Sequence, residues 1–278
     1  MNNIRLGHIG FLNVLPLTYS LKCDQIASNI TLDDDVPSKV NRHLLDKELD
    51  VSEVSSIVYA KHQDDFLILP GLAVRTFAKV TSILLVSKKP ITEITTDNIA
   101  LTKKSETSHA LLKIILAKGY NARPNYTIEN LSVHNPVPDE FAGSLFIGDD
   151  ALYIYNHKDE AKYYYYDLGA EWRRLTNTGM VYAIWIARKD WAATHKPELR
   201  KLQQELVAGF KNGMAKKPEI IRYAQESKDI ATQELDTYLD IIKWDLDTEH
   251  IAGLAKFYEL AHELGLIERP VNLHFADI

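Results

Sequence analysis

Apolar residues along this chain follow two rhythms. Short apolar runs bounded by glycine or charged residues alternate with stretches whose apolar positions recur every three or four residues. That is the pattern of strands interleaved with helices, an α/β chain. Ile4–Ile9 reads as a buried strand stopped at Gly10, and Asn13–Tyr19 begins a helix that tolerates Pro16 in its first turn. Pro37 and Ser38 open a second helix through Leu45, with Val40, Leu44 and Leu45 on one face. Leu49–Val54 is a strand that feeds Ser55-Ser56 and a helix through Lys61. Leu67–Leu72, Val80–Val86, Ile99–Leu101, Leu145–Ile147 and Val181–Ala187 read as further strands.

Lys104–Lys118 is the clearest helix of the middle region. Ala110, Leu111, Ile114, Ile115 and Lys118 fall at helical spacing behind Ser105-Glu106-Thr107-Ser108, an entry able to cap it. Tyr163–Leu168 reads as an exposed strand, although tyrosines at 163, 164, 165 and 166 send rings to both of its faces. Beyond residue 188 the chain is almost wholly helical. Leu199, Leu202, Leu206, Phe210 and Met214 mark one helix, and Ile251, Leu254, Ala255 and Tyr258 the last long one.

Two α/β halves followed by a helical tail imply a two-lobed architecture. The strand at Val80–Val86 leads out of the first half and the strand at Val181–Ala187 leads back, giving two hinge crossovers. The expected lobes are 1–86 with 188–278, and 87–187, with a ligand cleft where they meet.

Composition narrows the function. The 278 residues are 46% hydrophobic and 25% charged, enough for a sizeable core. Thirty-two Lys and Arg against 38 Asp and Glu leave a formal charge of −6, which argues against a nucleic-acid partner. No apolar run reaches the ~18–20 residues of a membrane span. The start, Met1 to His8, lacks the basic and apolar regions of a secretory signal, so a cytoplasmic location is expected. Cys23 is the single cysteine, which excludes an intrachain disulfide and a thiolate metal cluster. The ten histidines show no metal-ligand spacing; Glu259 and His262 share a helical face but have no second pair, so no metal is expected. Gly7-His8-Ile9-Gly10 is not a dinucleotide fingerprint, and neither a phosphate-binding loop nor a serine-hydrolase elbow occurs. No cofactor is expected.

Four segments place small hydroxyl or amide residues where a strand gives way to a helix: Gly10-Phe11-Leu12-Asn13, Ser55-Ser56, Ser105-Glu106-Thr107-Ser108 and Gly148-Asp149-Asp150. A helix start presents free N–H groups and partial positive charge, to which Ser and Thr add neutral donors. Such junctions suit a small dicarboxylate. The same residues also serve simply as helix caps.

Ordered motifs carry a resemblance. They are Phe11-Leu12-Asn13-Val14-Leu15-Pro16-Leu17, Glu48-Leu49-Asp50-Val51-Ser52, Ser55-Ser56-Ile57-Val58-Tyr59-Ala60 and Leu69-Pro70-Gly71-Leu72-Ala73-Val74-Arg75. Ser82-Ile83-Leu84-Leu85-Val86-Ser87, Ile99-Ala100-Leu101-Thr102, Phe146-Ile147-Gly148-Asp149-Asp150-Ala151-Leu152, Tyr166-Asp167-Leu168-Gly169 and Tyr182-Ala183-Ile184-Trp185 follow. Over roughly residues 4–190 the chain resembles the chorismate dehydratases of the futalosine route to menaquinone. The resemblance implies a fold like type 2 periplasmic solute-binding proteins and the loss of water from chorismate to give 3-[(1-carboxyvinyl)oxy]benzoate. It implies a catalytic role for Asn13, one carboxylate held by Ser55 and Ser56, and the other by Thr107 and Ser108 with Ser105 in the same segment. Ser82 is implied in the pocket, and Asp149 as the group that orients the 4-hydroxyl. The related 1,4-dihydroxy-6-naphthoate synthases carry a catalytic histidine where this chain has Gly148, which disfavours that alternative activity. A non-catalytic protein binding a small carboxylate is the other alternative. Thr176-Asn177-Thr178-Gly179-Met180-Val181 departs from the usual Thr-Gly-Leu-Pro-Phe-Val of the dehydratases, and Phe77-Ala78-Lys79-Val80-Thr81 lacks the glycines expected around Lys79.

Overall fold

A computed structural model of the chain describes residues 3–27, 29–35 and 37–278; Met1 and Asn2, the first residues of the stretch read for a secretory signal, lie outside them. The chain begins with β1 (Ile4–His8), a 3-10 turn over Leu12–Val14, α1 (Leu15–Lys22), β2 (Ile30–Asp34), α2 (Pro37–Leu45), β3 (Val51–Ser55), α3 (Ser56–Lys61) and β4 (Phe66–Thr76). It continues with β5 (Ile83–Ser87), β6 (Asn98–Thr102), α4 (Glu106–Ile114), β7 (Asn125–Glu129), β8 (Gly143–Ile147), α5 (Gly148–Asn156), β9 (Tyr164–Asp167) and α6 (Leu168–Thr176). Strand β10 (Met180–Arg188) precedes α7 (Lys189–Ala192), α8 (Lys196–Ala215), α9 (Lys217–Gln225), α10 (Thr232–Ile241) and α11 (Thr248–Glu263).

These elements form two α/β units. One comprises Met1–Arg75, Val181–Ile251 and Val271–Ile278; the other comprises Thr76–Met180 and Ala252–Pro270. The second unit thus begins at residue 76 and breaks off at 180, where 87–187 was expected, with 181–187 in the first unit, and it also holds the later part of α11. Packing explains the latter: Phe257 of α11 meets Trp172 of α6 edge-on at 6.1 Å. Gly253 lies so close to Gly179 that a Cβ would fall 2.2 Å from its carbonyl oxygen.

In the first unit the sheet order is β2-β1-β3-β10-β4, with β1 parallel to β2 and β3 and β10 antiparallel to β3. Helix α2 packs on β1 and β3 through Val40 and Leu44. Leu45, expected on the same buried face, is 41% exposed, because the helix stripe is narrower than the apolar run. Helix α8 lies directly on α1. A Cβ at Gly213 would fall 2.2 Å from the Pro16 carbonyl oxygen, and Ser20 Oγ donates to the Gly209 carbonyl at 2.8 Å. Only residues without a side chain allow that approach.

In the second unit the order is β7-β6-β8-β5-β9, with β6 parallel to β7 and β8 and β5 antiparallel to β8 and β9. Its core gathers Leu84, Val86, Ala100, Phe141, Phe146 and Ile154, and the alternation of β9 resolves the tyrosine run. Tyr163 and Tyr165 pack on that core, Tyr164 faces solvent, and the Tyr166 hydroxyl accepts the Ile91 N–H at 2.8 Å. Helix α4 widens into a π turn over Ile115–Gly119, so the expected helix to Lys118 is regular only to Ile114. Among the described residues no helix is long and apolar enough to cross a membrane.

Candidate functional site

Parallel neighbours end on the same edge of a sheet, and in open α/β sheets that carboxyl edge is where ligands collect. In the first unit it carries Asn13, just after β1, and Ser55 and Ser56, which close β3. The strand order places these three at one edge of the sheet. The 3-10 turn and α1 have Phe11 and Val14 at their cap positions, neither with a side-chain cap. Asn13 Oδ1 is buried and has no hydrogen-bond partner among the described residues. Its carboxamide oxygen is therefore not occupied by capping, the alternative that spacing alone leaves open.

Two devices hold the Asn13 turn. The Trp244 indole N–H donates to the Asn13 carbonyl oxygen at 2.7 Å. The Thr18 hydroxyl donates to the Val14 carbonyl at 3.2 Å and lies 2.8 Å from His8 Nε2. Burial pulls the His8 imidazole down to about 4, although Asp34 opposes this. The ring is thus neutral, and with the Thr18 proton directed to Val14 its Nε2–H is the donor.

Ser55 is half-buried at the cap position of α3, whereas Ser56 is fully buried and donates from Oγ to the Val181 carbonyl at 2.8 Å. The Ser56 hydroxyl proton thus ties α3 to β10.

In the second unit the carboxyl edge of β6 and β8 collects Ser82, Ser105, Thr107, Ser108 and Asp149. The Ser82 carbonyl accepts the Gly148 N–H at 2.8 Å, and an ion pair between Lys104 and Asp150 links the two helix starts. Ser105 caps α4, accepting from the Ser108 N–H at 3.3 Å and from the Ser108 hydroxyl at 3.2 Å. Thr107 and Ser108 are buried in that first turn, and Asp149 is half-buried in the first turn of α5. Gly148 has φ +62°, where a Cβ is strained although the space around it is open.

Asp167 organises this edge, and spacing gave no sign of it beyond its place in a motif. Its carboxylate accepts the N–H groups of Val80 (3.0 Å) and Thr81 (2.7 Å), and caps α6 through Ala170 (3.0 Å). It thereby fixes the turn in which Thr81 adopts φ +60° just before Ser82. Burial pushes the Asp167 carboxyl up, and these N–H bonds hold it back. Trp244 was equally hidden, since its partner lies 231 positions away.

The chemistry offered is uniform: neutral hydroxyls, a carboxamide and helix starts, which stabilise negative charge without adding a cation. Among the described residues no group of three or more His, Cys, Asp or Glu could hold a metal ion.

Comparison with known proteins identifies relatives over nearly the full chain. The chorismate dehydratase of Thermus thermophilus is 29% identical over 284 residues, covering 96% of this chain and 97% of that protein. The chorismate dehydratase of Campylobacter jejuni is 26% identical over 266 residues, covering 94% and 98%. Among solved structures, the Candida albicans CA3427 gene product, described as having the generic periplasmic binding protein fold, superposes with a TM-score of 0.71 at 11% identity, covering 100% of this chain and 98% of that one. That likeness establishes a periplasmic-binding-protein-like fold. The sequence model for menaquinone biosynthesis proteins matches residues 4–263, and with nearly its whole length accounted for in this way, the chain belongs to the menaquinone biosynthesis family.

Proposed function

We propose that this protein is a chorismate dehydratase, a hydro-lyase that converts chorismate to 3-[(1-carboxyvinyl)oxy]benzoate and water. The observation that carries the reading is Asn13. Its backbone is clamped by Trp244, and its buried Oδ1 is left unpartnered on the edge shared with Ser55. An unpaired buried oxygen costs about 1–3 kcal/mol, so its retention marks a group kept for a ligand.

The C3–H of chorismate is acidic through the ring carboxylate. Its removal and the departure of the 4-hydroxyl create an aromatic ring, with proton and hydroxyl leaving as water. The protein's task is to stabilise charge on that carboxylate and to select the reactive conformer. Asn13 supplies a neutral carboxamide to the reacting groups, and Asp149 orients the 4-hydroxyl. Ser55, with the start of α3 opened by Ser56, is the carboxylate-binding junction of the first unit; Thr107 and Ser108, braced by Ser105 and with Ser82 on the same edge, are that of the second. The substrate's enolpyruvyl carboxylate is the base in this scheme. The location that follows is the cytoplasm, where chorismate is made available.

Incubation with chorismate tests the reading. Appearance of a benzoate absorbance and of a product lighter by one water is the expected result. Tight binding without turnover would replace it with a carboxylate-binding protein.

A further inference from the structure

The sheet of the first unit buries an acid that the scheme above does not use. Glu53, at the centre of β3, is 3% exposed, and its Oε2 has no hydrogen-bond partner among the described residues. Strand alternation sets Val51, Glu53 and Ser55 on one face. Glu53 pairs in register with Trp185 of β10, whose indole meets Phe210 of α8 edge-on at 5.5 Å. The face is therefore the one that α8 covers. On the other side Gly7 pairs with Ser52, so His8 runs beside Glu53 on the neighbouring strand.

A leucine would fill this position with no orphaned oxygen, and a buried polar atom without a partner calls for a reason. The position supplies one. Glu53 lies two residues before Ser55 on the same face, and beside the histidine whose bond to Thr18 braces the Asn13 turn.

We propose that Glu53 is a positioning residue of the dehydration, its buried carboxyl holding one hydrogen bond in reserve for the Asn13–Ser55 edge of the sheet. The proposal rests on the chorismate dehydratase reading. Burial pushes the Glu53 carboxyl up to about 8, so at neutral pH it carries its proton and is able to donate. The titratable groups along this register row are His8, itself neutral, and, beyond it on β2, Asp34, which is paired with Lys22. Trp185 on β10 and the inward residues of α8, Leu202, Leu206 and Phe210, bring no charge.

The test is the dependence of kcat on pH for the wild type, Glu53→Gln and Glu53→Leu. In the wild type kcat falls on the alkaline side as Glu53 ionises. Glu53→Gln, which keeps a neutral donor, retains kcat within about threefold at pH 7 and loses that alkaline limb. Glu53→Leu loses tenfold or more in kcat with little change in KM. An unchanged alkaline limb in Glu53→Gln, or full activity in Glu53→Leu, overturns the proposal while the dehydratase reading stands. A wild type that does not turn over chorismate removes the reading itself, and the proposal with it.

Discussion

The indole of Trp244 and the backbone of Asn13 are joined by a 2.7 Å hydrogen bond that spans 231 residues of sequence. Trp244 also stacks on Phe210 at 5.2 Å, so the clamp on the Asn13 turn is rooted in α8. The bond is made by the main chain, and it does not engage the Asn13 carboxamide.

Trp244→Phe keeps the aromatic contact and deletes the N–H. Loss of a partly buried hydrogen bond of this kind costs about 1 kcal/mol of stability. A fall of several-fold in kcat is expected beside it, as the turn loosens. Thermal denaturation and steady-state kinetics on one preparation check both, and unchanged kinetics would show that the clamp is only structural.

Asn13→Ala is expected to raise the barrier by ~2–3 kcal/mol, the scale of one oriented donor. Stability should change little, because the Asn13 carboxamide oxygen forms no hydrogen bond among the described residues. A collapsed melting temperature with intact turnover would reverse the assignment.

Stability should depend on pH through two buried groups of opposite sign. The folded protein keeps the Glu53 proton that an unfolded chain releases above 4.5, so Glu53 costs stability as pH rises toward about 8. The loss is roughly 3 kcal/mol by pH 7 at ~1.4 kcal/mol per pH unit. His8 works the other way: the unfolded chain takes a proton below 6.5 that the fold refuses down to about 4, so stability falls as pH drops through that range. The two slopes oppose each other at mildly acidic pH, and from neutral pH to about 8 the decline belongs to Glu53. Urea melts of wild type and Glu53→Gln should diverge there; parallel curves would mean that Glu53 is ionised in the fold.

Asp167→Ala releases the Val80, Thr81 and Ala170 amides together. About 2–4 kcal/mol of stability should go with them, since bonds to a charged acceptor are the stronger kind. Hydrogen exchange at the Val80 and Thr81 amides should accelerate most. Uniform acceleration throughout the second unit would instead mean that Asp167 serves the whole fold rather than the turn before Ser82.

A buried strand such as Gly143–Ile147 is readable because its apolar run, Leu145-Phe146-Ile147, stops at Gly148 and leaves little choice. Strands β2 and β7 are not, because they lie at sheet edges and their residues are half-buried or exposed without clean alternation. At the site, the strand-to-helix junctions follow from local sequence, and so does the cap at Ser105. What local sequence hides is where a hydroxyl proton goes. Ser55 and Ser56 look equivalent as letters, yet Ser56 is bonded to Val181, 125 positions away. Glu53 is hidden for the same reason: in Val51-Ser52-Glu53-Val54-Ser55 nothing announces that the acid faces the helix-covered side.

The close seating of α8 on α1 has a consequence for biosynthesis. Gly213 abuts Pro16, and Trp244 reaches back to Asn13 from 231 positions downstream. At ~5–20 residues per second, a ribosome needs on the order of 10–50 s after making Asn13 to deliver its anchor. The Asn13 turn must wait that long on the nascent chain, so its clamp forms only after Trp244 has been made.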